Sequence, residues 1–91
     1  MLPERRRVLY SGYVQGVGFR FTTERVASGH DVSGYVRNLS DGRVEVVVEG
    51  APAELDAFLQ DVASAMAGHI DHADVQVGRV TGEFDGFSLR Y

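Results

Sequence analysis

Six consecutive residues, Gln15-Gly16-Val17-Gly18-Phe19-Arg20, combine the features that an anion site needs. The two glycines let the backbone turn through positive φ and bring N–H groups close to a ligand with no Cβ in the way. The run separates a β-rich stretch from a helical one, so it falls at a helix N-terminus. There several N–H groups lack intrahelical partners, and the helix dipole favours negative charge. Arg20 adds a planar guanidinium matched to phosphate oxygens. No Gly-Lys-Ser/Thr follows, so this is not a nucleotide P-loop. The same residues also fit a glycine-rich turn with a solvated Arg, and their types alone leave both readings open.

Asn38 is the second candidate. Its amide donates and accepts together, which suits it to holding a water. Asn is also a turn former that tolerates left-handed backbone, and spacing does not choose between the two roles. His69 and His72 stand beside Asp71 and Asp74, but no matching ligand cluster lies elsewhere, so a surface loop is expected and no metal site is assigned. His30 follows Gly29 in a turn and is expected to face solvent. The chain has no Cys, which excludes thiolate nucleophiles, disulfides and thiolate metal sites. The serines show no nucleophile elbow, and no carboxylate is placed as a general base.

The elements that must position these residues follow from periodicity. Glu4-Arg5-Arg6-Arg7 reads as a solvated tail, and Val8–Val14 as a strand. A short helix fits Phe21–Ser28, with Gly29 where a C-terminal cap belongs. Val32–Asn38 is the next strand, turning at Leu39-Ser40-Asp41-Gly42 into a third at Arg43–Gly50. In that third strand Val44, Val46 and Val48 alternate with Glu45, Val47 and Glu49, which predicts one dry face and one mostly wet face. Pro52–Ala67 is an amphipathic helix, with Pro52 and Glu54 in its first turn and Gly68 ending it. Leu55, Phe58, Leu59, Val62 and Met66 make its apolar stripe. Strands at Val75–Thr81 and Phe87–Tyr91 complete the chain, the last with Phe87, Leu89 and Tyr91 facing one way.

Strand, helix, strand, strand, helix, strand with one extra terminal strand is the order of an α+β, ferredoxin-like split βαβ sandwich. It predicts an antiparallel sheet with both helices packed on one face. Such folds host many activities, so function has to come from a site. Ninety-one residues make one domain, 1–91, and 44% hydrophobic content allows it a core. Thirteen acidic residues against nine Arg, with no Lys, give a net charge of −4. A broad basic face for nucleic acid is therefore excluded, and any anion site must be local. No apolar stretch reaches membrane-span or signal-peptide length, so a cytoplasmic protein without membrane attachment is expected; a monomer is expected as well.

Taken together, these segments resemble the acylphosphatase family. Ser11-Gly12-Tyr13-Val14-Gln15-Gly16-Val17-Gly18-Phe19-Arg20 is similar to its V-Q-G-V-x-F-R signature. Gly34-Tyr35-Val36-Arg37-Asn38, Asp41-Gly42-Arg43-Val44-Glu45-Val46 and Phe87-Ser88-Leu89-Arg90-Tyr91 continue the match at compatible spacing. The resemblance implies hydrolysis of small-molecule acyl phosphates to a carboxylate and inorganic phosphate, with no cofactor or metal. By the same resemblance, the backbone amides of Gln15, Gly16, Val17, Gly18, Phe19 and Arg20, with the Arg20 guanidinium, hold the phosphoryl group. Asn38 then positions the attacking water.

The chain departs from the family pattern in three places: no Pro in Gly68–Ala73, Tyr35 where Trp is common, and Leu39 where some members carry a hydroxyl. Two other readings stand beside this one: a non-enzymatic module binding a small anion, and a piece of a larger carbamoyl-phosphate-handling maturation protein. With Met1 at its start and Tyr91 closing the last strand, a free-standing enzyme is expected.

Overall fold

A computed structural model describes residues 2–91. The chain runs β1 (Glu4–Gly12), α1 (Phe19–Ala27), β2 (Ser33–Asn38), β3 (Val44–Gly50), α2 (Pro52–Ala65), β4 (Ile70–Gly78) and β5 (Phe87–Arg90). The five strands form one sheet in the order β4-β1-β3-β2-β5. One face of the sheet carries Val8, Tyr10, Val36, Val44, Val46 and Val48. Phe19 and Ala27 of α1 and Leu55, Phe58 and Val62 of α2 pack onto it. Both helices therefore bury their stripes against one side, as the α+β pattern requires. Among the described residues, no helix is long and apolar enough to cross a membrane.

The expected all-antiparallel sheet needs a correction. β1 pairs antiparallel with β3 and β4, and β2 with β3, but β5 pairs parallel with β2. β4 and β5 lie at opposite edges, so the segment between them crosses the full width of the sheet instead of turning back beside β4. It crosses on the face opposite the helices, where Thr81 and Gly82 donate backbone N–H groups to Glu49 and Phe84 meets Tyr35.

That crossing bears on the second face of β3, which is not wet. Glu45 and Glu49 are 2% and 5% exposed. Arg7 and Arg37 each donate to Glu45 at 2.6 Å, and Tyr35 Oη donates at 3.0 Å. Burial alone would raise the Glu45 carboxyl, but these donors outweigh it and hold it below the usual carboxylate range. Arg5 donates to Glu49 at 3.1 Å, while Arg6 pairs with Glu4 and Asp56. The run Arg5-Arg6-Arg7 is thus part of β1, which starts at Glu4 rather than Val8, because each Arg has a carboxylate waiting on a neighbouring element.

Three smaller expectations also change. β4 begins at Ile70, so His72 lies on a strand opposite Ser11, and His69 stacks on Tyr13 just before it. No group of three or more candidate metal ligands occurs among the described residues. β5 stops at Arg90, leaving Tyr91 exposed beyond it. His30 does not face solvent: its ring nitrogens lie 2.9 Å from Glu54 and 2.8 Å from Asp61, and its edge meets Phe58. α2 presents Glu54 and Asp61 on the side turned to the loop after α1, which places the imidazole between two carboxylates.

Candidate active site

The loop from β1 to α1 is pinned at both ends by apolar burial. Val14 is fully buried, and Phe19 is buried with its ring tilted against Tyr10 at 4.9 Å between centroids. Between these anchors Gly16 and Gly18 are exposed, each at φ +77°. Gly18 is the residue that caps α1, in the left-handed region at ψ +21°. An added Cβ at either glycine would meet no atom of the described residues within 4 Å beyond its own chain neighbours, so both positions border open space.

α1 begins without a side-chain cap and without an acidic residue in its first turn. Thr22 makes the first bond of the helix, donating to Gly18 O at 2.9 Å. The N–H groups of Phe19, Arg20 and Phe21 therefore open the helix with no intrahelical acceptor, at the positive end of its dipole. The Phe19 side chain anchors the loop in the core, so of that residue only the backbone is offered to a ligand.

Arg20 follows directly. Its Nη1 donates to Arg90 O at 3.1 Å, and its guanidinium lies 4.9 Å from the centre of the Tyr91 ring. Among the described residues no carboxylate lies within ion-pair distance of it, unlike Arg5, Arg6, Arg7, Arg37 and Arg43. The end of the chain thus steadies the side chain through a neutral carbonyl and an aromatic face, and the positive charge stays available to a ligand.

Asn38 closes β2, and no side-chain hydrogen bond to the rest of the described chain occupies its amide. Val14, Gly16, Gly18, Phe19, Arg20, Phe21 and Asn38 line one cleft of ≈ 140 Å³. The fold therefore brings Asn38 to the glycine loop, a juxtaposition that spacing left open. A larger groove of ≈ 500 Å³ runs past Asp31, Glu49 and Val80. Its one buried charge, Glu49, is already committed to Arg5, Thr81 and Gly82, so it offers no free group for chemistry.

Two features of the site were not visible in the sequence. One is the part played by Arg90 and Tyr91 beside Arg20. The other is the side chain of Gln15, which sequence reading used only for its backbone. Gln15 Nε2 donates to Leu39 O at 2.8 Å and to Arg43 O at 2.9 Å, joining the loop to the β2–β3 turn. No local signal marks either contact, because both partners are distant in the chain.

The family model described as Acylphosphatase matches residues 6–89. A protein named Acylphosphatase from Paenarthrobacter aurescens is 45% identical over 80 residues, covering 87% of this chain and 85% of the relative. Another of that name from Haloarcula marismortui is 40% identical over 92 residues, covering 100% of both. The crystal structure of acylphosphatase from Bacillus subtilis superposes with a TM-score of 0.88 at 31% identity, over 97% of this chain and 99% of that one.

Proposed function

This chain belongs to the acylphosphatase family, and from that premise we propose that its Gln15–Arg20 loop holds the phosphoryl group while Asn38 orients the water that attacks it. The enzyme hydrolyses acyl phosphates. One observation carries the assignment of roles: unpartnered helix-start N–H groups, a guanidinium free of carboxylates and an uncommitted amide border one cleft.

Each group matches one need of the reaction. Phosphoryl transfer asks for charge neutralisation on the equatorial oxygens and for in-line placement of the nucleophile, with little covalent help from the protein. The N–H groups and Arg20 neutralise, and they are already oriented, so the site reorganises little as charge redistributes. The Asn38 amide accepts from the water with its oxygen and donates with its nitrogen, fixing a lone pair toward phosphorus. Water adds to phosphorus, the bond to the acyl oxygen breaks, and a carboxylate leaves with that electron pair. The water proton passes to a phosphoryl oxygen. A carboxylate is a weak base and a good leaving group, so the site has no need of a strong general acid.

Release of phosphate from benzoyl phosphate, measured with and without a chelator, tests the proposal. The expected result is turnover that the chelator leaves unchanged, since the neutralising groups are the loop and Arg20. A folded protein that binds inorganic phosphate but releases none from benzoyl phosphate would overturn it in favour of an anion-binding module.

A further inference from the structure

We infer that the side chain of Gln15 is a positioning residue for the hydrolysis, holding the Asn38 end of β2 in place against the phosphate loop. The inference rests on the site reading above and adds a task for a side chain of which that reading used only the backbone.

The carboxamide nitrogen of Gln15 donates twice, to Leu39 O at 2.8 Å and to Arg43 O at 2.9 Å. The two N–H bonds of a primary amide lie in one plane at a fixed angle, so two acceptors set both its position and its rotation. These acceptors open and close the β2–β3 turn. Leu39 N–H donates to Arg43 O at 2.8 Å, and Gly42 N–H to Leu39 O at 3.2 Å. The turn therefore closes on itself and is then tied as a unit to the first residue of the loop.

The ladder fixes the base of the turn, with Asn38 opposite Val44 and Val44 opposite Tyr10, but beyond the sheet little else ties the turn to the loop. Ser40, Asp41 and Gly42 are exposed and only the ends of the turn, Leu39 and Arg43, are half-buried, so packing does little to press the turn onto the loop. Among the described residues, these two bonds are the hydrogen bonds that join residues 39–43 to residues 15–20. Leu39 is one peptide from Asn38, so a displacement of the turn at the Leu39 carbonyl is readily passed to the Asn38 side chain. Loss of about 1 Å in placement costs on the order of a hundredfold in rate where alignment matters. Gln15 thus couples the group that orients water to the groups that hold phosphate.

The test is Gln15→Met, which keeps the length and deletes both donors, made alone and together with Asn38→Ala. Gln15→Leu serves as a second variant if Gln15→Met does not fold, because it is neutral and likewise lacks both donors. If Gln15 acts through Asn38, kcat falls by about tenfold or more in the wild-type background and by under about twofold in the Asn38→Ala background. Inhibition by inorganic phosphate stays within about threefold of wild type, because the cradle itself is intact. The same factor lost in both backgrounds, unchanged kcat, or weakened phosphate inhibition with unchanged kcat would overturn the inference. Asn38→Ala assayed alone separates the two layers. If it keeps full turnover, the site reading fails; if it loses turnover while the Gln15 variants do not, only the inference fails.

Discussion

Arg20, in the first turn of α1, and Asn38, at the last position of β2, line the same ≈ 140 Å³ cleft. α1 packs against β2, which brings a helix N-terminus and a strand C-terminus to one end of the molecule. A cation and an uncommitted amide then share a space bordered by two glycines.

Arg20→Ala should lower kcat by roughly a hundredfold or more and weaken inorganic phosphate as a competitive inhibitor, since the charge acts in both bound and transition states. Arg20→Lys should recover only part of either, because an ammonium restores charge without the planar fork. Steady-state kinetics with phosphate inhibition checks both. A folded, fully active Arg20→Ala enzyme would contradict the cradle.

Asn38→Ala should separate from Arg20→Ala by its signature. A group that orients only the nucleophile is felt in turnover and not in ligand affinity. The expected outcome is a drop in kcat of about tenfold or more with phosphate inhibition near wild type. If Asn38 only shapes the turn, the thermal midpoint falls instead and turnover stays nearly intact.

Gly18 offers a way to divide conformational cost from obstruction. At φ +77° with no protein atom near a built Cβ, Gly18→Ala meets a backbone penalty of about 1–2 kcal/mol rather than a collision. Gly18→Asn tolerates left-handed backbone better and should regain much of that stability. Both should weaken phosphate inhibition, because each adds side-chain atoms to a residue that lines the cleft. Unchanged inhibition in both variants, and in Gly16→Ala, would reduce the loop to a turn.

Stability should fall on the alkaline side of His30. The hydrogen bond to Asp61 raises its pKa, burial opposes this, and Glu54 adds to the rise. A folded-state pKa above the unfolded value of about 6.5 makes the contribution complete below that value and lost as pH climbs through the raised one. Glu45 behaves oppositely: its depressed carboxyl contributes above its unfolded value and loses that contribution as pH falls through the folded one. Urea midpoints across this range should decline above pH ~6.5 in the wild-type protein and flatten there in His30→Gln. An identical slope in the variant would assign the alkaline decline to other groups.

What was legible in the sequence was whatever neighbouring residues decide among themselves. Alternating valines announce a strand, the stripe from Leu55 to Met66 announces a helix, and two glycines before Phe19-Arg20 announce a loop opening onto a helix start. These depend on backbone sterics and on periods of two and 3.6, which act within a few residues. The element order and the glycine loop ahead of α1 are therefore local features, whereas the roles of Arg20 and Asn38 rest on the family resemblance.

The tertiary structure alone decided which distant groups meet. Arg5, Arg6 and Arg7 looked like a tail because their carboxylates, Glu49, Asp56 and Glu45, lie some forty residues further along the chain. The face of β3 that carries Glu45 and Glu49 looked wet because the segment crossing over it belongs to the last quarter of the chain. β5 looked like one more antiparallel strand because pairing direction depends on which edge the connection reaches, and no residue within β5 encodes that. Gln15 looked like loop backbone because its two acceptors belong to the far side of a hairpin. A side chain's hydrogen-bonding capacity is written in its type, but its partner is chosen by the sheet order and by the packing of helices on that sheet, which only the assembled fold supplies.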